Sequence, residues 1–321
     1  MRNHAALLLR AWVVVLLLTA SACAKRPANL GQAADGADRL LVAPGEVVRY
    51  RITVDQRDNR VLFGNDNIVE TTQTFETTWT VHRRNGDGSV RVVLHVDAVR
   101  FERTMPRDAV SYDSATDGPP ETLLGRAFAS LVGRDLVLDI APDRRLVGLG
   151  GDDEWLDAML DAIGGDQGTL QPHADTIKEF HSREALLGLL AMVLPPAPDP
   201  PDADTWVARR TLPSSYFVVA EEAFAVREPV EGFRHLDVGG FVVSDFSIEK
   251  GTVREQKVNY ELMGELQGYY LIDPRSGWVE EGKLDVTARG ELVFVEPIEG
   301  FEFPAAPTTL NLLVIVERLR P

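Results

Sequence analysis

The sequence is nearly without cysteine, holding one, Cys23, in 321 residues. A lone thiol excludes an internal disulfide framework, so the fold must be held by its core. No apolar run reaches the roughly 20 residues of a membrane span; Ala11 to Leu18 stops well short. No dense Lys/Arg patch occurs, and the net charge is −16 with a pI near 4.8. That balance argues against nucleic acid as a partner and against electrostatic docking of the body on anionic lipid. No G-x-S-x-G elbow and no H-E-x-x-H pair is present, so neither an α/β-hydrolase nucleophile nor a zincin site can be read from motif.

What is there begins at the N-terminus. "MRNHAALLLR" carries Arg2 and Arg10 without an acid, an apolar stretch follows, and small residues lead to the cysteine in "TASAC". Basic, apolar and small-residue parts in that order form a secretory signal over residues 1–22. Two cleavage chemistries fit. "ASAC" resembles the bacterial lipobox, which makes Cys23 a lipidated N-terminus carrying palmitate-type chains, although Ala20 stands where leucine is usual. "ASA" also suits ordinary signal peptidase, giving a soluble secreted or periplasmic protein. An exposed unpaired thiol in an oxidising compartment favours lipidation. Ala24 after the cysteine is not aspartate, which favours the outer membrane, facing the periplasm, if the source has two membranes.

Residues 23–37, "CAKRPANLGQAADGA", read as a flexible tether. A period of two follows. In "EVVRYRITVDQ" Val48, Tyr50, Ile52 and Val54 share one face, and "TQTFETTWTVHRR" repeats the pattern. "NGDG", Asn85 to Gly88, is turn chemistry leading into "SVRVVLHVDAVRF", so residues 46–103 predict a three-stranded antiparallel meander. The middle turns helical: "PPETLLGRAFASLVG", "GDDEWLDAMLDAIGG" and the all-apolar "SREALLGLLAMVLPP", the last stopped by Pro195 and Pro196. A proline-rich connector spans 195–206, dividing 38–194 from a second β-rich region at 207–321; the two can form one domain. "VLDIAPDRRLVGLGG" and "YYLIDPRSGWVEEGK" share a strand–proline–turn–strand frame and suggest two pseudo-repeated halves. The expected fold class is α+β and mainly antiparallel β, a curved sheet or half-barrel with a helical insert in mid-chain.

The ordered features "APGEVVRY", "YDS" at Tyr112 to Ser114, "LDIAPDRRLVGLGG", "DADTW" and "GYYLIDPRSG" resemble a family of bacterial secreted and lipid-anchored envelope proteins whose domain has no assigned function. Arg144, Arg145 and Ala203 stand where that pattern has glycine. The resemblance implies an envelope address and transfers no catalytic residue. A looser likeness is to lipoprotein-carrier half-barrels, which wrap helices around an apolar cavity.

The remaining chemistry-bearing residues have plain structural explanations. His82 and His95 can approach across the Asn85–Gly88 hairpin, but solvent-facing strand histidines explain them. Asp152, Asp153 and Glu154 suit a helix N-terminus. "GLGG" at 148–151 lacks the last glycine of a phosphate cradle. Asp199, Asp202 and Asp204 are separated by stiffening prolines. No catalytic residue, cofactor or metal is assigned; Cys23 is the one site residue. The leading expectation is a non-enzymatic envelope lipoprotein, tied to the membrane by its N-terminal lipid, whose mid-chain apolar helix and strands bind an apolar or lipid-like ligand. The alternatives are a scaffold for another envelope protein and a hydrolase with a carboxylate pair.

Overall fold

The computed structural model describes residues 39–62, 64–150, 182–214, 218–244, 252–253, 256–294 and 305–320. Cys23, the tether and the helix expected near Asp152 lie outside them. Thirteen strands form one antiparallel sheet: β1 (Val47–Leu62), β2 (Asn65–Arg84), β3 (Val90–Met105), β4 (Asp108–Asp113), β5 (Asp135–Ile140), β6 (Leu146–Gly150), β7 (Thr205–Thr211), β8 (Val218–Val230), β9 (Phe233–Ser244), β10 (Thr252–Val253), β11 (Gln256–Ile272), β12 (Val279–Phe294) and β13 (Ala305–Leu319). Two helices are described, α1 (Leu123–Ala129) and, in mid-chain, α2 (Arg183–Ala191). The expected class, mainly antiparallel β with a helical insert, is what is found.

Strand order is β6-β5-β3-β2-β1-β13-β12-β11-β9-β8-β7, with β4 on β3 and β10 on β11. Along this path each neighbour is close in sequence except where β1 meets β13, pairing Arg49 with Leu319 through Arg60 with Thr308. The order is that of an up-and-down barrel interrupted once, between β6 and β7. The curved sheet is therefore open at a single seam, and the chain between those strands contains α2, which touches both.

Period-two burial builds the strands. On β1, Tyr50, Ile52 and Val54 are buried while Arg49, Arg51 and Thr53 point outward. The outer face is laced by cross-strand ion pairs such as Arg51–Glu76 at 2.7 Å and Arg91–Asp139 at 2.7 Å. β1 and β2 run farther than the apolar pattern predicts. Beyond Val54 the inward positions are polar, with Gln56, Asp58, Thr71 and Gln73 all buried. Arg60 closes on Asp58 at 2.7 Å and lies over the Tyr260 ring at 5.5 Å. Hydrophobic alternation fades there, but the hydrogen-bonded ladder continues to Leu62 opposite Asn65.

The other end of the interior is aromatic. Tyr50, Trp79 and Trp278 meet edge to face at centroid distances of 5.8, 6.3 and 6.1 Å, each ring burying on the order of 150–250 Å². Tyr50 donates its hydroxyl proton to the Val279 carbonyl at 2.9 Å, and Trp278 Nε1 donates to Glu46 at 3.0 Å. α1 is capped by Thr122, whose hydroxyl accepts from Gly125 N, and it stacks Phe128 on Phe101 at 4.2 Å. Ala127, Phe128 and Leu131 are buried on this segment, while Leu123 and Leu124 are half-buried.

α2 is capped by Ser182 and buries Leu186, Leu189 and Leu190. The sequence suggested helix up to the prolines, but α2 stops at Ala191. Met192, Val193 and Leu194 then bond back three residues, to Leu189, Leu190 and Ala191. This tightened turn keeps all three buried before prolines end the supply of N–H donors. The two similar hairpins hold different places. β5–β6 lies at a sheet edge, whereas β11–β12 is internal. Both turn through a positive φ, at Arg144 (70°) and Gly277 (79°).

Candidate functional site

A cleft of about 770 Å³ opens at the seam. α2 contributes Leu187, Gly188 and Ala191, the β5–β6 turn contributes Pro142 to Leu146, and β7 contributes Val207 to Thr211. The connector from Leu194 to Pro201 forms a further wall, with Arg39 at the rim. The connector is tied to the hairpin by Ala197 N donating to the Asp143 carbonyl at 3.0 Å. Gly188 lies on the side of the helix that packs on β7, where a Cβ would be in contact with the Thr211 carbonyl oxygen at 3.4 Å.

Behind the cleft lies a buried ion pair. Arg210 Nε approaches Glu222 at 2.5 Å, with the two side chains 8% and 0% exposed. One Nη2 contacts both Glu222 Oε1 (2.8 Å) and the Tyr270 hydroxyl (2.7 Å). Nη1 donates to the Ala191 carbonyl at 2.9 Å, at the end of α2. The guanidinium therefore latches the helix to the sheet, adding a second donor to a carbonyl that already accepts from Leu194 N at 3.1 Å. Burial works against its charge, but Glu222 and Tyr270 offset this and hold Arg210 above its usual range. Burial likewise raises Tyr270 and Tyr50, so both stay phenols.

Arg144 is a second buried arginine, 1% exposed, in a backbone conformation that L residues rarely adopt. It stands where the sequence pattern suggested glycine. Its charge is felt by both Tyr50 and Tyr270. Sequence reading passed over Arg210 and Glu222, although a signal existed. Trp206, Ala208 and Arg210 share one parity on β7, as do Ala220, Glu222 and Phe224 on β8. A charge on each of two apolar faces marks a buried pair.

The other residues considered from sequence do not assemble. His95 pairs across the sheet with Thr78 rather than His82, and its Nδ1 lies 2.7 Å from Asp135. Gly148 and Gly150 belong to β6, packed against Asp139 and Val137. Asp199, Asp202 and Asp204 are exposed along the connector. Of the acids lining the cleft, Asp143 pairs with Arg145 at 2.5 Å, and Glu184 and Asp199 are exposed. Among the described residues no three His, Cys, Asp or Glu side chains gather as a metal site, and no helix is long and apolar enough to cross a membrane.

Comparison with known families matches residues 87–279 to a family of unknown function, DUF6263. The chain belongs to that family. The DUF6263 region takes in both cleft-lining strands' ends, α2 and the Arg210–Glu222–Tyr270 triad, while β1, β13 and Arg39 lie outside it. No curated protein matches. Among solved structures, a lipovitellin described under lipid–protein interactions is similar at 12% identity and a TM-score of 0.49, over 87% of this chain. This chain spans 25% of that one. DynF of the dynemicin biosynthesis pathway of Micromonospora chersina is similar at 9% identity and a TM-score of 0.19, over 93% of this chain and 95% of that one. Pseudomonas aeruginosa OccK5 follows at 5% identity and a TM-score of 0.22, over 87% and 100%. At these scores none carries an argument about ligand.

Proposed function

We propose that this protein is an exported, lipid-anchored binding module, tethered through Cys23, whose seam cleft takes an apolar or lipid-like ligand. The cleft itself carries the reading. Its volume of about 770 Å³ lies within the usual range of small-molecule sites, about 300–1,000 Å³. The part of α2 that does not enter the core, Leu187 and Ala191, faces it together with Leu146 and Val207. Most of the mid-chain apolar helix is consumed in the core, so the ligand space is a surface cleft and not a deep cavity. Cys23 supports the address. Several buried acyl chains, at about 0.8 kcal/mol per methylene, hold a protein stably on a membrane.

Organic extraction of protein purified without detergent, followed by mass spectrometry, tests the binding role. Stoichiometric lipid, or saturable uptake of an apolar fluorophore blocked by Leu187→Trp, is the expected result. Absence of both refutes it. Cys23→Ala, exported normally, should leave the membrane fraction; persistence there refutes the anchor. A scaffold role has one observation behind it, since Val147 and Val207 are 59% and 55% exposed on the two edge strands. Repeated crosslinking of one envelope protein to these valines would favour that role.

A further inference from the structure

β7 ends the sheet with an unused edge. Leu212 N donates to the Val218 carbonyl at 2.8 Å, and Val226 N to the Asp204 carbonyl at 2.9 Å. In an antiparallel ladder, residues that exchange main-chain bonds with one neighbour alternate with residues that turn both groups the other way. The register of β7 on β8 runs unbroken from Thr205 opposite Ala225 to Thr211 opposite Val219. Trp206, Ala208 and Arg210 therefore bond to β8, and Val207 and Arg209 turn their N–H and C=O groups away from it. On that side the sheet has no further strand. Gly188 checks the parity independently, because the atom nearest to a Cβ placed on it is the carbonyl oxygen of Thr211, which has the parity of Val207. Among the described residues, no donor or acceptor meets the main-chain groups of Val207 or Arg209.

That edge faces the seam cleft, whose lining includes Val207 to Thr211. At about 3.3 Å per residue this stretch runs about 13 Å, enough to seat a strand of about five residues. Trp206, Ala208 and Arg210 form the inward side of β7, so the inward side of a strand added beside it meets Leu187 and Ala191 of α2. The connector wall brings Pro196, Pro198 and Pro201, which have no N–H to offer the β7 carbonyls. Charge at the cleft favours neither sign. Outside the Arg145–Asp143 pair, the exposed Arg39 and Arg209 are balanced by Glu184 and Asp199. Unpaired main chain, an apolar floor and a neutral rim thus coincide. Hydrocarbon has a use for the floor alone, whereas an extended polypeptide has a use for all three.

We propose that the seam cleft binds an uncharged, extended peptide segment as an added strand on β7, paired through the main chain of Val207 and Arg209, with alternate apolar side chains on Leu187 and Ala191. Strand addition takes its affinity from main-chain hydrogen bonds and its selectivity from every second side chain. The bound strand also covers an edge that is otherwise open to indiscriminate pairing. The cleft is the one named in the binding reading above, but the β7 edge carries this inference and the apolar helix side carries that one. Either can therefore fail without the other.

The test titrates the complete mature chain, made with Cys23→Ala, by calorimetry with acetylated and amidated pentapeptides of pattern Thr-X-Thr-X-Thr, where X is Val, Leu or Phe. At least one should bind saturably. Binding of none overturns the proposal; uptake of an apolar fluorophore by the same sample then leaves the ligand reading standing, and silence of both removes that reading too. The tightest peptide is next compared in two N-methylated forms, one blocked at its second and fourth residues and the other at its third and fifth. Only one set of amides points at β7, so one form should weaken by on the order of tenfold or more, as loss of two main-chain donors implies, and the other should bind nearly as before. Equal effects of the two forms overturn main-chain pairing. Val207→Pro deletes an edge donor while sparing the ladder to β8, a place where a strand tolerates proline. It should keep the urea midpoint of the parent and weaken peptide binding by on the order of tenfold; a folded variant that binds like the parent overturns the assignment to β7. The N-methylated pair leaves the protein untouched, so the test does not depend on how that variant folds.

Discussion

Replacing Glu222 by leucine would leave the Arg210 guanidinium inside the sheet with the Tyr270 hydroxyl and the Ala191 carbonyl as its remaining partners. The pair is close, at 2.5 Å, and its side chains are 8% and 0% exposed. Two charges about 3 Å apart at an effective dielectric of 20 attract by about 5 kcal/mol, against a desolvation cost of similar size. The intact pair is therefore near balance, whereas the broken pair retains the cost without the gain. Glu222→Leu should lose about 3–5 kcal/mol, with a melting point lower by about 6–10 °C at about 2 °C per kcal/mol. The double variant Arg210→Met, Glu222→Leu should recover most of that loss or exceed wild-type stability. Urea unfolding of all four members of the cycle measures the coupling. A loss below about 1 kcal/mol for Glu222→Leu alone would mean that water reaches the guanidinium through the cleft, and the latch on α2 would lose its physical basis.

Asp139 is held below the ordinary carboxylate range first by its hydrogen bonds from Arg91 and then by that residue's charge. A depressed folded-state pKa stabilises above the unfolded value of about 3.9 and is lost as pH falls through the folded value. Because the pair is partly exposed, Asp139→Asn should cost only about 0.5 kcal/mol at pH 7 and nothing near pH 2, read from urea midpoints at both. Arg144→Ala and Arg144→Gly delete the same side chain, yet the glycine variant should be more stable by about 1–2 kcal/mol because φ is 70°; equal stabilities would show that the turn is not strained. Gly282 lies under the Tyr270 ring, where an added Cβ would come within 2.6 Å. Gly282→Ala should cost about 1–3 kcal/mol by calorimetry, and a silent substitution would show that the ring can move.

Much of the sheet was legible because burial on its inner face imposes a period of two. The β2–β3 hairpin turn at Asn85–Gly88 is present, with Gly88 at φ 92°. Where inward residues become polar, at Gln56 and Asp58, the same reasoning ended β1 early. β4 was missed because Asp108–Asp113 has one buried residue, Tyr112. The cleft was not legible at all. It joins Arg39, the Arg144 turn, α2 and β7, segments far apart in sequence that meet only through the strand order. That order depends on the pairing of β1 with β13, and no local pattern encodes it.

That pairing also governs when the protein can come together. Among the described strands, β13 alone joins the β1-to-β6 group to the β7-to-β12 group, and it occupies Ala305–Leu319. A nascent polypeptide lacking those fifteen residues has two half-sheets, each with an unsatisfied border. The two half-sheets can therefore join only once β13 has emerged, whatever order each of them assumes before that.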